Sequence, residues 1–468
     1  MSTNEREFLS PTNERLLKWL SVGLISLIAF ETLAVATAMP TVVRALEGEN
    51  LYALGMGVVM ATQLMTTALA GPWSDHRSPK SCLFTGIIGF VLGLALCTFA
   101  PNMYVFVLGR AIQGLGGGLC VVPLYTLIGN NVHPIRQPAF FAAFAAAWVL
   151  PALIGPAIAG FIVQHMTWRI VFGVVPVILL AALPLFIRVM GKVPHRVSAS
   201  APHHIKTTIF CAFGAGIFVA LLQVMSGVDS ADFGPRVYAL IAGSAVLTFV
   251  FMKPLLPPGT FISRRGLAST VLFRGLVNGA FLGVEAFLPL MLQEIHDWDP
   301  FQAGMVLTVG SITWALGSAV QGRIMSSEWR RRIPVVGATV QLVGVTATIL
   351  GAFSSLPGLI VIVGWTIAGL GIGFVYPAMT VHGLSMSAPE NQGRTSSSLQ
   401  MADTLGGAVA VAVAGIVYAV ILPAQSEAFA GAISVMSLAM VGALVVSRRV
   451  QPHPGSHEES QMEKSYAS

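Results

Sequence analysis

Apolar runs of about twenty residues recur along the whole chain, separated by short polar stretches. A bilayer core about 30 Å thick is crossed by about 20 helical residues, so each run predicts one membrane-spanning helix. The first six runs fall at 17–39, 52–73, 81–100, 104–127, 138–163 and 169–190. A polar stretch at 191–206, bearing proline and histidine, breaks the series and reads as a linker. Two further runs, 207–227 and 236–256, precede a basic break over 253–265. Six more follow at 268–292, 301–325, 333–353, 356–379, 395–420 and 426–446. The expectation is an all-α integral membrane fold of fourteen helices. Residues 1–190 form a six-helix bundle with a short cytoplasmic tail, 191–260 a linker with two inserted helices, 261–450 a second six-helix bundle, and 451–468 a disordered cytoplasmic tail.

Charge placement supports that count. With the amino terminus inside, 22 of the 26 basic residues fall on the cytoplasmic side, Arg274 among them at the start of the ninth span. The other side keeps Arg44, Arg169 and Arg236, and Arg110 alone lies within a span. This is the bias that orients membrane helices, and it places both termini in the cytoplasm and the protein in the plasma membrane. Composition agrees: 55% of residues are hydrophobic and only 10% charged, too few charges for a water-soluble surface. The net charge of +6 is therefore a topology signal and an attraction to anionic inner-leaflet lipid, with no nucleic-acid partner implied. Met1 to Glu14 lacks the layout of a cleaved signal peptide.

Cys82, Cys97, Cys120 and Cys211 all sit in apolar runs, without CxxC or histidine clusters, and read as small hydrophobes with no metal or cofactor. No GxxxxGK[ST] loop for nucleotide is present, and His133, His165 and His382 form no catalytic grouping, so an enzyme is not expected.

Two segments repeat. Gly114-Leu-Gly-Gly-Gly118 with Pro123 matches Gly369-Leu-Gly-Ile-Gly373 with Pro377 at an offset of 255 (369 − 114). The same offset carries Glu31 to within one residue of Glu285. A parallel repeat of two six-helix halves is the relation found in rocking-type secondary transporters.

Ionisable residues inside spans cost about 2.5–3.5 kcal/mol each on insertion scales and by default mark function. Four stand out: Glu31, Arg110, Glu285 and Asp403. A carboxyl in an apolar cavity can hold a proton and release it when water or a cation arrives, which suits proton coupling. Arg110 supplies a fixed positive charge for a neighbouring carboxylate. Arg110, Gln113, Gly114 and Gly117 share one helical face, placing that charge beside small residues that admit another backbone. Phe30, Phe144, Trp148, Phe281 and Tyr376, with Gln113 and Asn278, are the candidate substrate contacts.

Four motifs occur in order. Gly71-Pro-Trp-Ser-Asp75-His-Arg-Ser-Pro-Lys80 resembles the cytoplasmic loop signature of the major facilitator superfamily, and Leu108-Gly-Arg110-Ala-Ile-Gln113-Gly114-Leu-Gly116 its fourth-helix motif. Pro151-Ala-Leu-Ile-Gly155-Pro156-Ala-Ile-Ala-Gly160 is similar to the fifth-helix signature of its drug:proton antiporters, and Glu31 to Pro40 to the first-helix motif of the fourteen-helix branch. The sequence departs from these patterns at Glu31, where Asp is more usual, and at Ser78, Pro79 and Pro151. The resemblance implies a monomeric proton-coupled exporter of amphipathic and cationic small molecules. Within the same superfamily, export of a lipid, siderophore or metabolite, or proton-coupled uptake, stays open. Gly71, Asp75 and Lys80 are implied at the cytoplasmic gate, Gly71 as a point of close helix approach. Gly155-Pro156 favours a helix bend useful for gating.

Overall fold

The structure, a computed structural model, describes residues 9–133, 136–193, 205–228, 234–324, 326–387 and 392–451. Among the described residues all regular structure is helical. The first group comprises α1 (Pro11–Ala45), α2 (Tyr52–His76), α3 (Pro79–Thr98), α4 (Met103–Gly118) continued by α5 (Val121–Asn131), α6 (Gln137–His165) and α7 (Trp168–Lys192). Two helices follow, α8 (Ile205–Met225) and α9 (Pro235–Met252). The second group is α10 (Leu267–Ile295), α11 (Pro300–Gly322), α12 (Ser327–Thr348), α13 (Leu359–Ser385), α14 (Gln392–Ile421) and α15 (Gln425–Ser447). Counting α4 and α5 as one span, fourteen helices are long and apolar enough to cross a bilayer. The tail expected at 451–468 and the linker residues 194–204 lie outside the described residues, save Gln451.

The helices outrun the apolar windows. α1 spans 35 residues because it begins at Pro11, whose missing N–H costs nothing at a helix start, and runs past Lys18 and Arg44. An apolar count stops at such charges, but a helix continues through the headgroup zone. Outward stripes are apolar: Ile88, Leu92, Leu96 and Phe99 are exposed along α3, while Leu83, Ile87, Phe90 and Leu94 are buried behind them. Lipid, not water, suits such a surface.

Packing repeats between the groups. α1 lies on α6, α2 and α3 on α4, and α3 on α7; correspondingly α10 lies on α14, α11 and α12 on α13, and α12 on α15. Small residues make the contacts close. A Cβ on Gly116 would stand 2.6 Å from the carbonyl carbon of Gly89, and one on Gly371 2.7 Å from Cα of Gln341.

The repeat offset is not uniform. It is 255 for α4 and α13, but Gly114 faces Thr62 where Gly369 faces Thr313, an offset of 251 (313 − 62) for α2 and α11. In α1 and α10 the internal prolines, Pro40 and Pro289, stand 249 apart (289 − 40). In that register Glu31 matches Ala280 and Glu285 matches Ala36. The two acids are therefore not repeat equivalents; five residues, or about 7.5 Å of helix rise, separate their levels.

Prolines inside helices free the carbonyl four residues earlier, and neighbours take up several of these. Ser26 donates to Ala147 O (2.9 Å), freed by Pro151, and Ser318 to Gly373 O (3.2 Å), freed by Pro377. Cys82 Sγ approaches Leu119 O (3.8 Å), freed by Pro123, where the glycine run Gly116–Gly118 lets α4 and α5 part.

Candidate functional site

Successive helices alternate in direction, so α1 begins and α15 ends at one end of the bundle, the near end. The direct hydrogen bonds and the ion pair seen between the two six-helix groups lie at the opposite, far end. Arg44 at the close of α1 donates to Gln293 and stands 3.9 Å from Glu294 on α10, and Tyr52 donates to Ala286 O. Tyr52 and Phe287 rings lie 5.6 Å apart there.

Besides Glu14, which pairs with Arg136 at the start of α1, three acidic centres are buried between the helices. In the first group Glu31 of α1 forms an ion pair with Arg110 of α4, both nearly inaccessible at 1% and 3% exposure. Arg110 also donates to Gln113 Oε1 (2.6 Å) and to Gly55 O on α2 (3.3 Å). The i, i+3 spacing of Arg110 and Gln113 on α4 aims both at α1. Gln113 Nε2 is buried without a partner.

In the second group Asp403 of α14 accepts from Arg274 Nε (2.9 and 3.0 Å) and Nη2 (2.7 Å), and from the Tyr376 hydroxyl (2.8 Å). Arg274 further donates to Thr380 (2.6 Å) and its guanidinium lies 4.1 Å from the Tyr376 ring centroid. Asn278 reaches the backbone carbonyl of Asp403 at 3.3 Å. This network ties α10, α13 and α14 together.

Arg274 corrects the charge placement read from sequence. It is buried inside the bundle rather than lying at the cytoplasmic edge, because Asp403 supplies a counterion at its level. Sequence reasoning missed it by tallying charges before pairing them. An intramembrane acid needs a base nearby, and α10 is the helix that packs on α14.

Glu285 is different. It lies eleven residues beyond Arg274 on α10, about 16 Å farther along the helix, and is buried. It makes no hydrogen bond or ion pair with any described residue. The 255 offset that relates α4 to α13 puts Trp365 at the position of Arg110, so the second group holds no arginine there. Trp365 is wholly buried, with its Nε1 unpartnered, and stacks on Phe281 at 4.3 Å. Phe281 also meets Trp314 edge-on at 5.2 Å, and Trp314 lies 5.5 Å from Tyr376. Phe281 and Glu285, four apart, share one face of α10.

The other predicted residues disperse. Phe30 lies beside Gly155, whose added Cβ would come 3.4 Å from its ring. Phe144 is buried with its ring edge-on to Tyr125 at 5.3 Å, whereas Trp148 is exposed on α6. Lys80 donates to Val193 O, tying α3 to the end of α7 rather than crossing between the groups. A Cβ at Gly71 would meet no atom within 4 Å, so close helix approach does not account for that glycine in this conformation. The Asp75 side chain lies outside the described residues. Pro156 lies against α11, where a Cβ on Gly304 would stand 2.5 Å from its carbonyl oxygen.

Two six-helix groups with repeated packing, buried ion pairs between helices and polar links between the groups at one end are the architecture of a rocking transporter. The family model for the Major Facilitator Superfamily matches residues 20–411 and, again, 275–467. The chain belongs to the major facilitator superfamily. As a member it is a multi-pass membrane transporter of small molecules, not an enzyme, and its fourteen helices agree with the superfamily's drug-efflux branch. The multidrug transporter protein MdtP of Bacillus subtilis (strain 168) is 25% identical over 88% of this chain and 80% of its own. A probable multidrug-efflux transporter of Mycobacterium tuberculosis is 25% identical over 84% of this chain and 86% of its own. Among solved structures, a bacterial homologue of the human lysosomal transporter Spinster aligns over 95% of this chain and 100% of its own. Its TM-score is 0.65 at 14% identity, a likeness of fold.

Proposed function

We propose that this superfamily member is a proton-coupled exporter of amphipathic small molecules, cationic ones included, in the plasma membrane with both termini cytoplasmic. The observation that carries the reading is the contrast among the buried acids. Glu31 and Asp403 each hold an arginine, so releasing either breaks a buried ion pair, which typically costs about 3–5 kcal/mol. Glu285 has no fixed partner and can exchange a proton for a cation without that cost. Beside Phe281 on the same face, the half-buried ring of Trp314 offers flat apolar surface for the body of such a ligand. The relatives named as multidrug transporters support the same reading.

In the cycle we envisage, far-end contacts such as Arg44–Gln293 keep the outside closed while substrate enters from the cytoplasm and displaces the Glu285 proton. The groups then rock, and a proton from outside displaces the substrate. Glu31 and Arg110 stay paired in one state and exchange partners in the other, with Gln113 Nε2 available as a further donor. In proteoliposomes, efflux of a cationic dye should follow an imposed pH gradient and collapse with an uncoupler. Dye movement indifferent to both would overturn proton coupling.

A further inference from the structure

The inserted pair α8 and α9 takes no part in the cycle above, yet its position is informative. The two six-helix groups meet along two seams, α2 with α14 and α6 with α11. α8 packs on both helices of the first seam, and α9 packs on α8. Gln223 of α8 donates to Ala408 O on α14 at 3.2 Å and fills the space beside Gly57 of α2, while Gly216 brings α8 close enough that a Cβ would lie 2.7 Å from Ala61 O. Under this cover the first seam is buried from the middle toward the near end: Ala61, Leu64 and Ala68 on α2, and Ala408, Leu405 and Leu399 on α14.

The second seam has no such cover. Its close contacts lie at the far end, where a Cβ on Gly160 would come 2.6 Å from Pro300 O. At helical spacing from there, burial is lost step by step toward the near end. On α6, Gly160 and Pro156 are buried, Leu153 is half-buried, and Val149 and Ala146 are exposed. On α11, Gly304 and Thr308 are buried, Ser311 and Ala315 half-buried, and Ala319 exposed. None of these residues carries a charge.

We infer that α8 seals the α2–α14 seam against lipid and leaves the α6–α11 seam as a side entrance for an amphipath dissolved in the near-side leaflet. The uncharged lining admits an apolar body and offers an ion nothing. Behind the entrance stands the half-buried Phe30 of α1, beside Gly155 of α6. The inference rests on the export reading for the identity of the cargo, but its test does not.

The full chain is placed in vesicles of a phosphatidylcholine carrying a diazirine midway along one acyl chain, irradiated without any gradient, and the adducts are mapped by mass spectrometry. Adducts are expected on Phe30 and Leu153, several-fold above those on Leu64 and Leu405 behind the covered seam. Absence of adducts from Phe30 and Leu153, or equal labelling behind both seams, would overturn the entrance and leave export untouched. The variant Gly216→Leu, which pushes α8 from α2, should add label on Leu64 and leave that on Phe30 unchanged. Unaltered labelling of Leu64 in a folded Gly216→Leu protein would remove α8 as the seal.

Discussion

Replacing Asp403 by Leu strands the Arg274 guanidinium where the structure provides no other acid. Arg274 keeps Thr380 and the face of Tyr376 but loses three charge-assisted hydrogen-bond contacts within 3.0 Å, and its side chain is only 7% exposed. Removing one partner of a buried pair costs about 3–5 kcal/mol, since an uncompensated charge remains. Arg274→Met alone strands the carboxylate with Tyr376 as its remaining side-chain donor and should cost a similar amount. The double variant Arg274→Met, Asp403→Leu fills the site with apolar atoms and should return to within about 1–2 kcal/mol of the parent, as buried pairs exchanged for hydrophobes often do. The coupling energy of the cycle should therefore be at least about 4 kcal/mol, roughly 800-fold in the folding equilibrium. Equilibrium unfolding in mixed micelles, read by near-ultraviolet circular dichroism on all four proteins, measures it. Single variants costing under about 1 kcal/mol, or a double variant no better than the worse single, would refute the pin between α10, α13 and α14.

The same logic extends to other positions. Glu31→Gln should abolish gradient-driven transport and lower the yield of folded protein by stranding Arg110, while Glu31→Gln with Arg110→Gln should recover the yield and not the transport; recovery of transport would exclude the pair from coupling. Gly116→Leu should prevent folding, because its Cβ would lie 2.7 Å from Gly86 O, whereas Gly71→Ala should be silent in gel filtration, having open space around it. Ser26→Ala should cost about 0.6 to 1.7 kcal/mol, the range for interhelical hydrogen bonds in membranes, and the cost should vanish in a Pro151→Ala background, where the helix itself takes up the Ala147 carbonyl; an equal cost in both backgrounds would sink this explanation.

Much of the fold was legible because bilayer thickness imposes a length on every span. The count of fourteen, the six-two-six order and the repeat all follow from apolar run length and glycine spacing. The site was legible only in part. Glu31, Arg110, Glu285 and Asp403 betray themselves as charges in apolar runs, but pairing depends on helix packing that no single run reveals. Arg274 sits seven residues past Leu267, where a charge reads equally well as a helix end. The uniform offset of 255 misaligned Glu31 with Glu285 because connections between helices differ in length between the halves. Trp365 standing at the Arg110 position has no meaning until the helices are aligned individually.

The division of labour among the buried acids is tested most directly by proton release on cation binding. Purified protein in weakly buffered detergent is mixed with tetraphenylphosphonium, and the pH is followed with an indicator dye alongside binding. Release that tracks binding in the parent, persists in Gly71→Ala and is lost in Glu285→Gln is the result predicted here. Undiminished release from Glu285→Gln would contradict the assignment of Glu285 as the exchanging group.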